Sequence, residues 1–164
     1  MAITKLIADS ITSGAIANTP MVSVRMTNNQ TLPNSSNTLL AFDNVDIDTD
    51  SAYTNTAGNY KFTVPSGKAG TYMITLMTTS FNENSDTLRV QNHIFKNGIS
   101  ISMQRQRHDG GGAHTRMAGT TTHWVGTLAV GDYIQFYYLH QITSGSPLTL
   151  SDTQSRATIT RLIT

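Results

Sequence analysis

Two short stretches hold the side chains with the most chemical potential. The first is DNVDIDTD, which spaces Asp43, Asp46, Asp48 and Asp50 within eight residues. Hard cations such as calcium are held by several carboxylates at short spacing. An EF-hand loop started at Asp46 would need Gly and Glu where Ser51 and Ala57 stand, so that motif fails. The plainer reading is a solvated strand edge kept soluble by charge. The second stretch is RQRHDGGGAHTR, residues 105–116. Three glycines make a flexible loop. Arg105, Arg107, His108, His114 and Arg116 flank it, and they are the candidate contact residues. Such a loop is either a mobile, charged surface, or a contact for another protein or a host glycan. If several copies met on an axis, their imidazoles could also hold an ion or respond to mild acid.

Enzyme chemistry finds no foothold. There is no Gly-x-Ser-x-Gly elbow, no His-Glu-x-x-His and no phosphate-binding glycine loop. Cysteine is absent, which removes disulfides, thiolate metal sites and cysteine nucleophiles. His93 falls within a strand pattern and Trp124 follows His123, so both read as packing residues before they read as catalysts or ligand platforms. We expect no enzyme, no cofactor and no bound metal. The net charge of +1 gives no field to hold nucleic acid. No apolar run approaches the ~20 residues of a membrane span. The first twenty residues carry one Lys and no long apolar block, so they are a poor export signal.

The elements that must position these residues are strands. Hydrophobic residues are 38% of the 164 and charged residues only 13%, against about a quarter in an ordinary soluble domain. Thr, Ser, Asn and Gln fill the gap, and Thr favours strands. From residue 21 apolar residues recur with period two: Val22, Val24 and Met26; Tyr60, Phe62 and Val64; Tyr72, Ile74 and Leu76; Leu88, Val90 and Ile94; Ile99, Ile101 and Met103. Further runs follow at 124–130, 133–140 and 156–163. Turn signals separate them. Asn97-Gly98 is a strong hairpin signal because both residues tolerate positive φ. Gly131-Asp132, Pro65-Ser66-Gly67 and Gly145-Ser146-Pro147 mark other breaks. Eight to ten short strands of this kind predict one all-β sandwich or jelly roll over residues 21–164. Tyr133, Phe136, Tyr137 and Tyr138 crowd one strand, and one face cannot hold them all. We therefore expect some of them at a subunit interface. Residues 1–20 differ. Ile3, Leu6, Ile7, Ile11 and Ile16 are spaced loosely like one helical face, and at ~3.3 Å per extended residue the segment reaches about 65 Å at most. It reads as a short anchoring arm ordered by a partner.

An ordered set of motifs carries a resemblance. Phe42-Asp43-Asn44-Val45, Tyr53, Gly58-Asn59-Tyr60-Lys61-Phe62-Thr63-Val64-Pro65 and Gly70-Thr71-Tyr72 come first. Phe95-Lys96-Asn97-Gly98 and Leu128-Ala129-Val130-Gly131-Asp132-Tyr133-Ile134 follow. Together they resemble the tumour-necrosis-factor-like jelly rolls, most of all the complement globular-head branch. The resemblance implies a jelly roll of about ten antiparallel strands that assembles as a homotrimer and binds rather than catalyses. It departs from that branch in lacking a collagen stalk and cysteines, so no ligand position is carried over. The segment ITKLIADSITSGAIA resembles the N-terminal stretches of virion surface and tail-fibre proteins of bacteriophages. The expected function is a trimeric decoration, or cement, protein on the outer surface of a phage capsid, bound to the major capsid protein or another virion protein. The alternative is the receptor-binding tip or short spike of a tail, attaching to a host surface glycan.

Overall fold

The computed structural model describes residues 18–81, 86–108, 117–144 and 149–162. Among them the regular elements are all strands: β1 Met21–Arg25, β2 Gln30–Thr31, β3 Thr38–Leu39, β4 Asn44–Asp48, β5 Tyr53–Thr56, β6 Asn59–Thr63, β7 Gly70–Phe81, β8 Asp86–Lys96, β9 Ile99–Arg107, β10 Met117–Leu128, β11 Tyr133–Ser144, β12 Thr149–Leu150 and β13 Arg156–Arg161. No helix among the described residues is long and apolar enough to cross a membrane. The strands form two antiparallel sheets. Sheet A is centred on β7, which pairs with β10 along one side and with β13 and β12 along the other. β13 continues to β1 and β4, and β2 joins β12. Sheet B runs β5-β6-β11-β8-β9, with β3 beside β11 beyond the end of β6.

Period-two alternation puts one face of each strand between the sheets. Val22, Val24, Phe62, Tyr72, Ile74, Leu76, Ile94, Ile134 and Ile159 fill this space. Aromatic rings lock the layers: Phe42 meets Phe136 edge-on at 5.8 Å, and Phe62 meets Tyr72 at 5.7 Å. Trp124 lies inward on β10, and its ring occupies the place a Cβ on Gly126 would need. The predicted hairpin at Asn97-Gly98 joins β8 to β9, with φ of 52° and 80°. It interlocks with the Gly131-Asp132 turn. Asp132 takes the Lys96 ammonium at 2.8 Å, the Asn97 amide at 2.7 Å and the Ala129 N–H at 2.8 Å. The Lys96 hydrogen bond leads in holding its carboxyl down to about 2.

One predicted run is broken. Ile99, Ile101 and Met103 do not share a face, because the β8–β9 register shifts between Ile94 and Phe95. Ile101 packs toward the core, whereas Met103 stands on the outer face opposite His93. A bulge of this kind reverses the facing of every residue beyond it.

Toward the upper pole, where β7 ends and β8 begins, the core becomes polar. Asn92 is fully buried; its amide donates to the Thr120 carbonyl at 2.9 Å, and its oxygen accepts from Thr78 at 2.7 Å. Tyr138 donates to Ser80 at 2.7 Å. His140 is also fully buried, and burial alone pushes its imidazole below the ordinary value. Burial, and secondly Arg105, does the same to His93. An unfolded histidine takes up a proton near pH 6.5, where these folded ones still resist it. Stability is therefore complete above about pH 6.5 and falls as the pH drops below that value. The melting temperature is expected to decline as the pH falls from about 6.5 to 5, before the aspartates titrate. His140→Gln is expected to flatten that decline even if it lowers the melting temperature at every pH. A profile level over this range in the native chain would contradict the assignment.

Candidate docking and binding surfaces

The two sheets leave two outward faces of different character. On sheet A, register aligns Val125, Met73, Thr160 and Met21 in one row across four strands. The next row is His123, Thr75, Thr158, Ser23 and Ile47. Large apolar side chains on this face stay open to solvent: Val125 at 60%, Met73 at 45% and Ile47 at 43%. Between them stand Thr and Ser hydroxyls. His123 Nδ1, one of the two ring nitrogens in these rows, is taken up by Thr75 Oγ1 at 3.1 Å. The face is flat, weakly polar and without charge in these two rows. A second apolar area lies at the adjoining sandwich edge, where Ile99 is 70% exposed on β9. There β9 meets β10 through Ser102, whose hydroxyl donates to the His123 carbonyl at 2.9 Å.

Sheet B presents aromatic rings and cations instead. Its outward rows, set by register, read Gln141–Arg89–Arg107, Leu139–Gln91–Arg105, Tyr137–His93–Met103 and Gln135–Phe95–Ser100. Phe95 lies 4.5 Å from Tyr137 and 5.9 Å from His93, centroid to centroid. Lys61 Nζ sits 5.4 Å from the Tyr133 ring centre at the lower end of the same face.

The crowded aromatic strand is thus divided by its own alternation. Phe136 and Tyr138 point inward and are buried in the core, which corrects the expectation that they meet a neighbouring subunit. Tyr133 and Tyr137 point outward, on sheet B. The described residues that flank the glycine segment are placed by β9. Arg105 and Arg107 stand on β9, paired with Gln91 and Arg89, not in a loop. His108 follows the strand, its N–H bonded to the Leu88 carbonyl at 2.9 Å. His114 and Arg116 lie outside the described residues, as do the arm positions Ile3, Leu6, Ile7, Ile11 and Ile16.

The four aspartates disperse to four different tasks. Asp43 holds Thr27 through its backbone N–H and its hydroxyl. Asp46 pairs with Arg25 at 3.0 Å, and Asp50 with Lys68 at 3.0 Å. Asp48 accepts the Ala52 and Tyr53 N–H groups at 2.9 and 3.0 Å, shaping the corner from β4 to β5. No group of three or more metal-binding side chains converges among the described residues.

The sandwich also has two distinct poles. Thr19 is held by Lys68 at 2.7 Å, and Leu162 bonds to Thr71 at 2.8 Å, so both ends of the described chain lie beside the β6–β7 turn. Arg89, Arg105 and Arg107 lie toward the other pole. Twelve-residue β7 spans the two poles, about 40 Å apart at ~3.3 Å per residue.

No protein-family model matches the chain, and no curated protein matches it by sequence. Solved structures do match by shape. The crystal structure of murine APRIL at pH 5.0 superposes with a TM-score of 0.63 at 11% identity, covering 87% of this chain and 98% of that one. The murine APRIL structure at pH 8.5 gives 0.61 at 12% identity, with the same coverage of both chains. That likeness spans nearly the whole sandwich and agrees with its two antiparallel sheets. This chain therefore folds as a tumour-necrosis-factor-like jelly roll.

Proposed function

We propose that this chain is a non-catalytic homotrimer that decorates the outer surface of a tailed-bacteriophage capsid. The observation that carries the reading is the open apolar face of sheet A beside an open apolar edge. The two areas differ, so an edge of one copy packed on the face of the next makes a head-to-tail contact. Head-to-tail contacts close into a ring when the rotation between copies divides the circle evenly. A ring of three accords with the trimer implied by the family resemblance, and it fits the local threefold positions of an icosahedral shell. The described chain enters the sandwich beside the β6–β7 turn, and in this reading the apolar residues Ile3, Leu6, Ile7, Ile11 and Ile16 before it are the anchor. Three arms leaving one end of a trimer bind with avidity, and each contact can be modest.

Quantitative mass spectrometry of purified particles tests the location. Copy numbers comparable with the major shell protein are expected. A few copies confined to the tail would overturn decoration in favour of a receptor-binding tip, the reading that the cationic, aromatic face of sheet B favours. A second experiment tests the arm. Deleting residues 1–17 is expected to leave a folded trimer that no longer binds shells. Normal decoration by the truncated chain would refute the anchor.

A further inference from the structure

We propose that the outward face of sheet B binds an acidic polysaccharide, its carboxylate or sulfate groups on Arg105 and Arg89 and a sugar ring on the platform of Tyr137, Phe95 and His93. The geometry is a grid. Rows two residues apart along a strand are about 6.8 Å apart, and neighbouring strands lie about 4.8 Å apart. The arginine rows therefore stand roughly 7–14 Å from the ring row, within the reach of one short oligosaccharide.

Arg105 is positioned by a neutral side chain rather than by a carboxylate. With the Gln91 amide turned so that its oxygen faces Arg105, that oxygen accepts from Arg105 Nη2 at 2.8 Å. Gln91 is buried, so it fixes the guanidinium against the sheet while leaving its charge uncancelled. Arg89 stands directly opposite Arg107 on the neighbouring strand. Like charges directly opposed weaken a sheet. No carboxylate occupies any of the four outward rows. The three ion pairs among the described residues engage Arg25, Lys68 and Lys96 instead. Two buried nitrogens on this face, Arg89 Nε and His93 Nε2, have no partner among the described residues. Guanidinium groups suit carboxylate and sulfate oxygens through paired N–H donors.

The platform decides among anions. Tyr137 and Phe95 touch at 4.5 Å with their planes tilted by 45°, an apolar surface that suits the C–H face of a sugar ring. Gln135, Ser100 and Gln141 border the grid and can bond hydroxyls. An acidic polypeptide would use the arginines and leave the rings idle. A nucleic acid strand needs a cationic groove along its backbone, and the chain's net charge is only +1. If sheet A faces the other copies, sheet B remains outside. The site then sits far from the pole where the described chain begins, and to that extent the inference rests on the trimer reading.

The test uses the full chain and a heparin hexasaccharide, titrated by calorimetry. Isomaltohexaose, oligoglutamate and a single-stranded oligothymidylate serve as comparisons. Arg105→Gln and Arg89→Gln are each expected to weaken heparin binding roughly tenfold or more, and Tyr137→Leu several-fold. Arg105→Lys is expected to recover only part of the loss, because the planar fork is gone. Isomaltohexaose and oligoglutamate are expected to bind far more weakly than the hexasaccharide. Absence of heparin binding, equal binding of oligoglutamate, tighter binding of oligothymidylate, or an unaltered affinity in Tyr137→Leu would each overturn the proposal. Melting temperatures of the variants show that they fold. Sedimentation of the same samples reports the trimer, so loss of assembly is read separately from loss of the site.

Discussion

Phe136→Ala is expected to lower the free energy of unfolding by about 3–5 kcal/mol, the usual cost of emptying a buried aromatic position. Phe136 is 2% exposed and closes edge-on against Phe42, so its removal opens a void between the sheets. For a domain of this size the melting temperature should fall by roughly 6–20 °C. Tyr137→Ala, one residue along, removes a ring that is half-buried on the outer face and touches Phe95. It should cost about 1–2 kcal/mol, the aromatic pair supplying much of that. The contrast discriminates core from interface. Urea unfolding at two widely separated protein concentrations should give Phe136→Ala the same loss at both. If the variant instead kept its stability and merely dissociated, Phe136 would belong to a subunit contact and its core assignment would be wrong.

Met73→Glu is expected to convert the proposed trimer into folded monomers. Met73 stands in the centre of the sheet A face, flanked in register by Val125 and Thr160. A carboxylate buried there would have no cation in its row to meet. Leaving a charge uncompensated at a closed interface costs about 3–5 kcal/mol at each contact, repeated around the ring. Because Met73 is already 45% exposed in a single chain, the folded monomer should tolerate the change. Sedimentation velocity should show a threefold drop in mass with circular dichroism unchanged. Gln135→Glu, on the outward face of sheet B, should leave assembly intact. A Met73→Glu protein that remains trimeric would remove sheet A as the contact face and require the edge or another surface in its place.

The match between sequence and structure follows the range of the forces involved. Strand identity was readable because alternation in Val22–Met26 or Tyr60–Val64 is a local property. The Asn97-Gly98 turn was readable because its backbone angles are local as well. The two-residue strands β2 and β3 hold only one period, and the short strands β4 and β5, NVDID and YTNT, are rich in polar residues, so all four carried little pattern. The bulge opposite Ile94 was invisible, because register depends on the partner strand as much as on Ile99–Met103.

The amino-acid sequence by itself determined a two-layer β-structure and its main hairpins. Only the tertiary structure decided which side of each strand is inside. Period two states that Phe136 and Tyr137 face oppositely, but not which one meets the core; that choice is made by Phe42 across the gap. Only pairing between distant segments could bring Arg89 beside Arg107, Arg105 beside Gln91, and Tyr137 onto Phe95. A sheet is built from hydrogen bonds between residues far apart in the chain, so its surfaces are assembled from fragments that no local stretch contains.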